Sequence, residues 1–283
     1  MSLMTTRTTD PPIDRGDDRL MTTATQTRPC VGRSLPPARP IPFLRTARVE
    51  FRKSLDTLAG RWLVIIAVLI AVGVQVVFLV ATRDEPHSAL GLFEIAALPF
   101  SILLPVIGIM AATAEWSQRA GLVTFTLEPR RWRVVAARIA AVTVLSALVV
   151  AASLLGSYVG AGIADLAGVN VAYSFDATYI AGLLVMMLLS VLQGVAFGFL
   201  FLNTPAAIVV ILSLPMVWQI ALGLSERAAT LASWLELSQA AQPSAEIGAM
   251  TGRSWAQLGT AVGVGILLPL AIGSWRVIRG EVK

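Results

Sequence analysis

The chemistry open to this sequence is bounded first by what it carries singly or lacks. It has one cysteine, Cys30, and one histidine, His87. Neither a disulfide framework, a cysteine metal cluster nor a His-pair zinc site can be assembled from them. The phosphate-loop pattern G-x-x-x-x-G-K-[ST] does not occur, so any ATP step would come from another polypeptide. The expectation is a protein that is not an enzyme and holds no cofactor or metal of its own. What remains is charge. The stretch Ala114–Arg138, AEWSQRAGLVTFTLEPRRWRVVAAR, gathers Glu115, Arg119, Arg130, Arg131, Arg133 and Arg138 around Gly121 and Pro129. Glu115 and Trp116 suit the edge of a hydrocarbon layer, where Trp anchors and a carboxylate just leaves it. From Arg119 to Leu127 the pattern reads as a short amphipathic helix presenting Leu122, Val123, Phe125 and Leu127. Pro129 ends it, and Arg130–Arg131–Trp132–Arg133 starts a helix again. A surface helix held between two spans is a lever for a partner; the same arginines equally suit headgroup anchoring.

The elements that must hold this segment follow from composition. Of 283 residues, 56% are apolar and 14% charged, and mean hydropathy is +0.75. Soluble domains average about 25% charged residues. The apolar residues lie in runs of roughly 20, the length that crosses a ~30 Å hydrocarbon core. Six spans are expected, at about residues 62–81, 95–114, 139–164, 179–202, 205–224 and 258–275. The fold class is therefore all-α and polytopic. Pro99 and Pro105 should kink the second span. Residues 179–224 read as one helix would reach ~69 Å, over twice the hydrocarbon thickness, so the chain must reverse at Asn203–Thr204. Thr204 as N-cap and Pro205 at the first helical position would restart it.

Residues 1–40 show no apolar periodicity and are proline-rich, which reads as a disordered tail and not as a signal peptide. In residues 41–61, Leu44, Ala47, Phe51, Leu55 and Leu58 share one arc at 100° per residue. Arg45, Arg52, Lys53 and Asp56 point elsewhere. This is either a basic amphipathic helix on the membrane surface or a plain helical linker.

Orientation rests on Lys and Arg alone. Only Arg83, Arg227 and Arg253 of the 22 fall in the loops of one side. The others place both termini and the 115–138 segment in the cytosol. The pI near 10.1 is thus explained by topology, and no nucleic-acid partner is needed. No Asp, Glu, Lys, Arg or His falls inside the expected hydrocarbon region, which argues against a proton-driven carrier. Gln75, Gln193 and Gln219 are polar at depth: either interhelical hydrogen bonds or a path for an amphipathic substrate. The G-x-x-x-G pairs Gly156–Gly160 and Gly194–Gly198 mark close helix packing within the subunit or a dimer contact. Between Ser225 and Gln257, Leu231, Trp234, Leu235 and Leu237 suggest one short interfacial helix before Pro243, a passive cap or a gate.

At Glu115–Arg138 the sequence resembles the permease subunits of ABC-2-type transporters, especially actinobacterial ones. The family pattern runs from a Glu ending span two, through a Gly-Thr segment, to Pro-x-Arg and a basic residue entering span three. Glu115, Pro129, Arg130, Arg131 and Arg138 match, with 14 residues from Glu115 to Pro129. Arg119 stands where the family has glycine, and Gly121 follows two positions later. Arg48–Trp62 also resembles the family's entry helix. The resemblance implies an ABC-2 permease fold in a bacterial plasma (inner) membrane. It implies pairing with a second permease subunit, as a homodimer or with a related chain, and docking of a P-loop ATPase that carries ATP and magnesium on residues 115–138, the coupling segment. The expected function is efflux of a hydrophobic or amphipathic substrate. The alternatives are a membrane anchor or scaffold without transport, and an ATP-independent channel or carrier.

Overall fold

A computed structural model describes residues 42–83, 85–117, 130–173, 176–242 and 250–279. The tail 1–40 with Cys30, and Arg119, Gly121, Pro129 and Pro243, lie outside the described residues.

The entry stretch is not one helix. Helix α1 (Phe43–Asp56) ends at Thr57, whose backbone is extended and whose hydroxyl accepts from Gly60 N to cap α2 (Leu58–Ala81). The break moves Leu58 onto α2, where it is 71% exposed, and Leu44 is 80% exposed. The buried stripe of α1 instead runs through Ala47, Glu50, Phe51, Ser54 and Leu55, with Phe51 and Leu55 packed on the main core. A carboxylate therefore sits on the face expected to be apolar.

Helix α3 (Ala89–Ser117) is the centre of the bundle. Half of its most apolar window is buried, against 11% in the peripheral α6 (Thr204–Leu224). It holds both Pro99 and Pro105 within a continuous helix, and its Phe93, Phe100 and Leu104 meet Val191, Val195 and Phe199 of α5 (Ala177–Phe201) in the core. Helix α4 (Arg131–Leu166) starts eight residues before the expected span, so the arginine-rich start and the span are one rod. At 1.5 Å per residue its 36 residues reach ~54 Å, well beyond a ~30 Å hydrocarbon layer.

The two glycine pairs behave differently. A Cβ on Gly194 would collide with the Pro105 carbonyl, and one on Gly198 would lie 2.7 Å from Ala112 Cβ. Gly108 of α3 reciprocates against the Val191 carbonyl. Absence of side chains on both helices lets α3 and α5 touch backbone to backbone. Around Gly156 of α4 nothing comes within 4 Å, and Gly160 has only Gln75 Oε1 at 3.9 Å.

The reversal between α5 and α6 uses Leu202, at φ 53°, and Asn203. Asn203, not Thr204, is the N-cap: its Oδ1 accepts from Ala206 N at 3.1 Å. Thr204 is the first helical residue, and its hydroxyl lies 2.6 Å from that of Thr113 on α3, a partner that drew it out of the capping role.

The expected short helix after α6 is two, α7 (Glu226–Leu235) and α8 (Leu237–Ala241), because Glu236 turns extended and caps α8 through Ser238 N and Gln239 N. At the same end a two-residue ladder ties two connections of the otherwise helical fold: β1 (His87–Ser88) pairs in parallel with β2 (Val171–Ala172). They close over a small apolar cluster that includes Leu92, Ala161 and Val169.

The last span also begins earlier than expected. Helix α9 (Gly252–Val262) passes through a π-helical segment, Gly263–Leu267, into α10 (Leu268–Arg279). Leu268 N donates to Gly263 O, five residues back. Pro269 follows at once; a proline ring clashes with the carbonyl four residues behind it, and the wider turn of a π segment makes room.

Candidate functional site

Where α1, α3 and α4 converge, the structure buries charge. Arg138, on the second turn of α4, is 4% exposed. Its Nε donates to Glu50 Oε2 at 3.0 Å, and its Nη2 lies 2.6 Å from Glu115 Oε1. A third contact, Nη1 to Ala112 O at 3.4 Å, reaches the backbone of α3. Lys53, half exposed, adds 2.8 Å to Glu50 Oε1 and 3.8 Å to Glu115 Oε1. Two carboxylates thus face two cations, and only Lys53 reaches solvent.

Burial pushes the Glu50 carboxyl upward, but Arg138 and Lys53 outweigh it and hold the group below its ordinary value. Glu115 is bound less evenly. Its contact with Arg138 has ion-pair distance but poor hydrogen-bond alignment, so neither of its oxygens receives an aligned donor. Separating such a buried pair costs about 3–5 kcal/mol, because each charge would be left without solvent. The cluster therefore locks the entry helix, the end of α3 and the start of α4 into one unit. The end of α3 and the start of α4 are the elements on either side of residues 118–129.

The other arginines of the segment divide by role. Arg130 is exposed and occupies the N-cap position of α4. Trp132, beside it, is 58% exposed. Arg131 is committed elsewhere: its Nη1 donates to Val277 O at 3.1 Å and Ile278 O at 3.4 Å, satisfying carbonyls that α10 cannot pair itself. Arg276 does the same for α5 through Leu200 O, at 2.6 Å. Arg133 is half-buried.

The three glutamines do not share a surface. Gln75 is buried, with Nε2 donating to Leu92 O at 3.0 Å and to Ser157 Oγ, so it ties α2 to α3 and α4. Gln193 faces the π segment, its Nε2 3.5 Å from where a Cβ on Gly265 would stand. Gln219 is exposed on α6.

Glu50 is the residue that sequence reading missed. Its signal was a lone carboxylate on the sheltered side of a basic helix, which must find a cation or pay for desolvation.

Six described helices are long and apolar enough to cross a membrane, which makes the chain a multi-pass helical membrane protein. No family model matches it, and no curated protein does.

Proposed function

We propose that the chain is the membrane-spanning subunit of an ATP-driven exporter of the ABC-2 type, placed in the plasma membrane with both termini in the cytosol. In this reading it pairs with a second such subunit and takes its energy from a P-loop ATPase docked on residues 115–138. The observation that carries the proposal is the buried cluster of Glu50, Arg138 and Glu115. A partner pressing on the segment between Ser117 and Arg130 would move α1, α3 and α4 together, because charge separation resists any relative slip. The 19 Lys and Arg on the side of this cluster, counted against Arg83, Arg227 and Arg253 on the other, support a cytosolic placement by the positive-inside rule.

The test uses the two exposed residues and spares Arg131, whose bonds to α10 would confuse the result. Arg130→Glu with Trp132→Ala should lower ATPase co-purification and substrate-stimulated ATP hydrolysis by about tenfold or more, since Trp and Arg dominate interface energetics. Arg227→Glu at the opposite end should be silent. Normal binding and coupling by a correctly inserted double variant would remove this segment as the docking element.

A further inference from the structure

Between α2 and α4 lies a groove of about 520 Å³. Its walls are Val76 and Val80 of α2 and Val159 and Ile163 of α4, and Arg83 lines one end. The floor exists because Gly156 and Gly160 carry no side chain; nothing lies within 4 Å of where a Cβ on Gly156 would stand, and only Gln75 Oε1, at 3.9 Å, comes near that of Gly160. Gln75 is fixed there by its bonds to Leu92 and Ser157. The groove is therefore held open by a polar tie across three helices.

Its dimensions and charges identify the occupant. From Val72 to Val80, the two ends of the lining on α2, is ~12 Å of helix at 1.5 Å per residue, and Arg83 lies three residues beyond. That is close to one leaflet, half of a ~30 Å hydrocarbon core. Arg83 is exposed and has no ion pair among the described residues, while exposed Glu85 lies two residues from Arg83 in sequence and exposed Asp165 follows the lining residue Ala164. A cation with carboxylates near it complements a headgroup carrying both a phosphate and an ammonium. We propose that this groove binds one acyl chain of a zwitterionic phospholipid from the leaflet opposite the buried charge cluster, with the phosphate on Arg83. A lipid brings both a phosphate for Arg83 and an ammonium for the carboxylates, and a second copy of the chain is the competing occupant that the disulfide arm below tests.

The experiment is native mass spectrometry of the full chain released from nanodiscs of mixed phosphatidylethanolamine, phosphatidylglycerol and diacylglycerol. Wild type should retain phosphatidylethanolamine above the other two. Gly156→Leu fills open space, so thermal unfolding should stay at or above wild type while retained lipid falls about tenfold or more, as several methylene burials are lost. Arg83→Gln should lower retention by about two- to fivefold, the scale of an exposed charge pair. Equal retention by the filled variant, a preference for diacylglycerol or phosphatidylglycerol, or a Val159→Cys disulfide between two copies at high yield would each overturn the assignment.

Discussion

At Gly194 and Gly198 two helices meet backbone to backbone; at Gly156 and Gly160, spaced alike, the neighbouring helix keeps its distance. The difference lies in the opposing surface. Helix α3 answers with Gly108 and with the bare carbonyl of Pro105, so both sides can close. Helix α2 answers with Val72, Gln75 and Val76, whose branched or long side chains stand off the backbone. A small-residue repeat thus permits close approach without causing it. One seam forms the core of the bundle, and the other leaves a groove that a lipid can fill.

The strongest way to break this comparison is to put a side chain into the closed seam. Gly194→Val would drive a methyl pair into the Pro105 carbonyl, and neither backbone can move aside alone. The expected loss is about 3 kcal/mol or more, read as a collapse of folded yield and of thermal midpoint in detergent. An unfolding midpoint near wild type would show that α3 and α5 can part cheaply, and the seam would no longer differ from its open counterpart.

A middle-sized effect sharpens the contrast by asking what holds α4, given that its glycines do not. The answer offered by the structure is charge at its first turns. Glu50→Gln should cost about 2 kcal/mol at neutral pH, the scale of a hydrogen bond to a charged group. The pH dependence carries a sign. Glu50 in the folded chain sits below its ordinary value of 4.5, so its contribution is complete above that value and is lost as pH falls through the lower, folded one. Wild-type melting temperature should therefore drop on acidification below about pH 4.5, and the variant should drop less. Parallel acid limbs for the two proteins would assign α1 attachment to apolar packing by Phe51 and Leu55 instead.

The smallest effect is expected in the open seam. Gly156→Ala and Gly160→Ala meet no steric obstacle and replace the residue that is about 1 kcal/mol poorer in a helix. Unfolding should shift by less than about 1 kcal/mol, toward stability. A marked loss in either single variant would mean that α2 and α4 do close on one another.

What the sequence disclosed, and what it hid, follows the same division between local and tertiary causes. Six spans were readable because hydropathy over some 20 residues depends on the segment alone. The helix restart at Arg130–Arg133 was readable too, since it needs only the local pattern. The Glu50–Arg138 contact was hidden, because it joins residues 88 positions apart and the arc through Leu44 and Leu58 pulled attention to apolar residues alone. The break at Thr57 was similarly masked by an apolar rhythm that continues across it. At Asn203–Thr204 both residues can cap, and only the hydroxyl of Thr113, far away in sequence, decided between them. The glycine pairs were indistinguishable for the same reason: the answer sits on α3 and α2.

The π segment has a consequence for the last span as a whole. Its inward positions, Leu258, Ala261, Ile266, Pro269, Gly273 and Val277, step by three or four residues everywhere except across Ala261 to Ile266. One surplus residue is stored there, and the two halves of the span keep a common phase in spite of it. Removing a residue between Gly263 and Leu267 would erase the surplus and leave both halves facing as they do. The same removal within α10 would turn everything beyond it by about 100°, swinging the Arg276 guanidinium off the Leu200 carbonyl. The span can therefore shorten at one place and at no other without losing its aim.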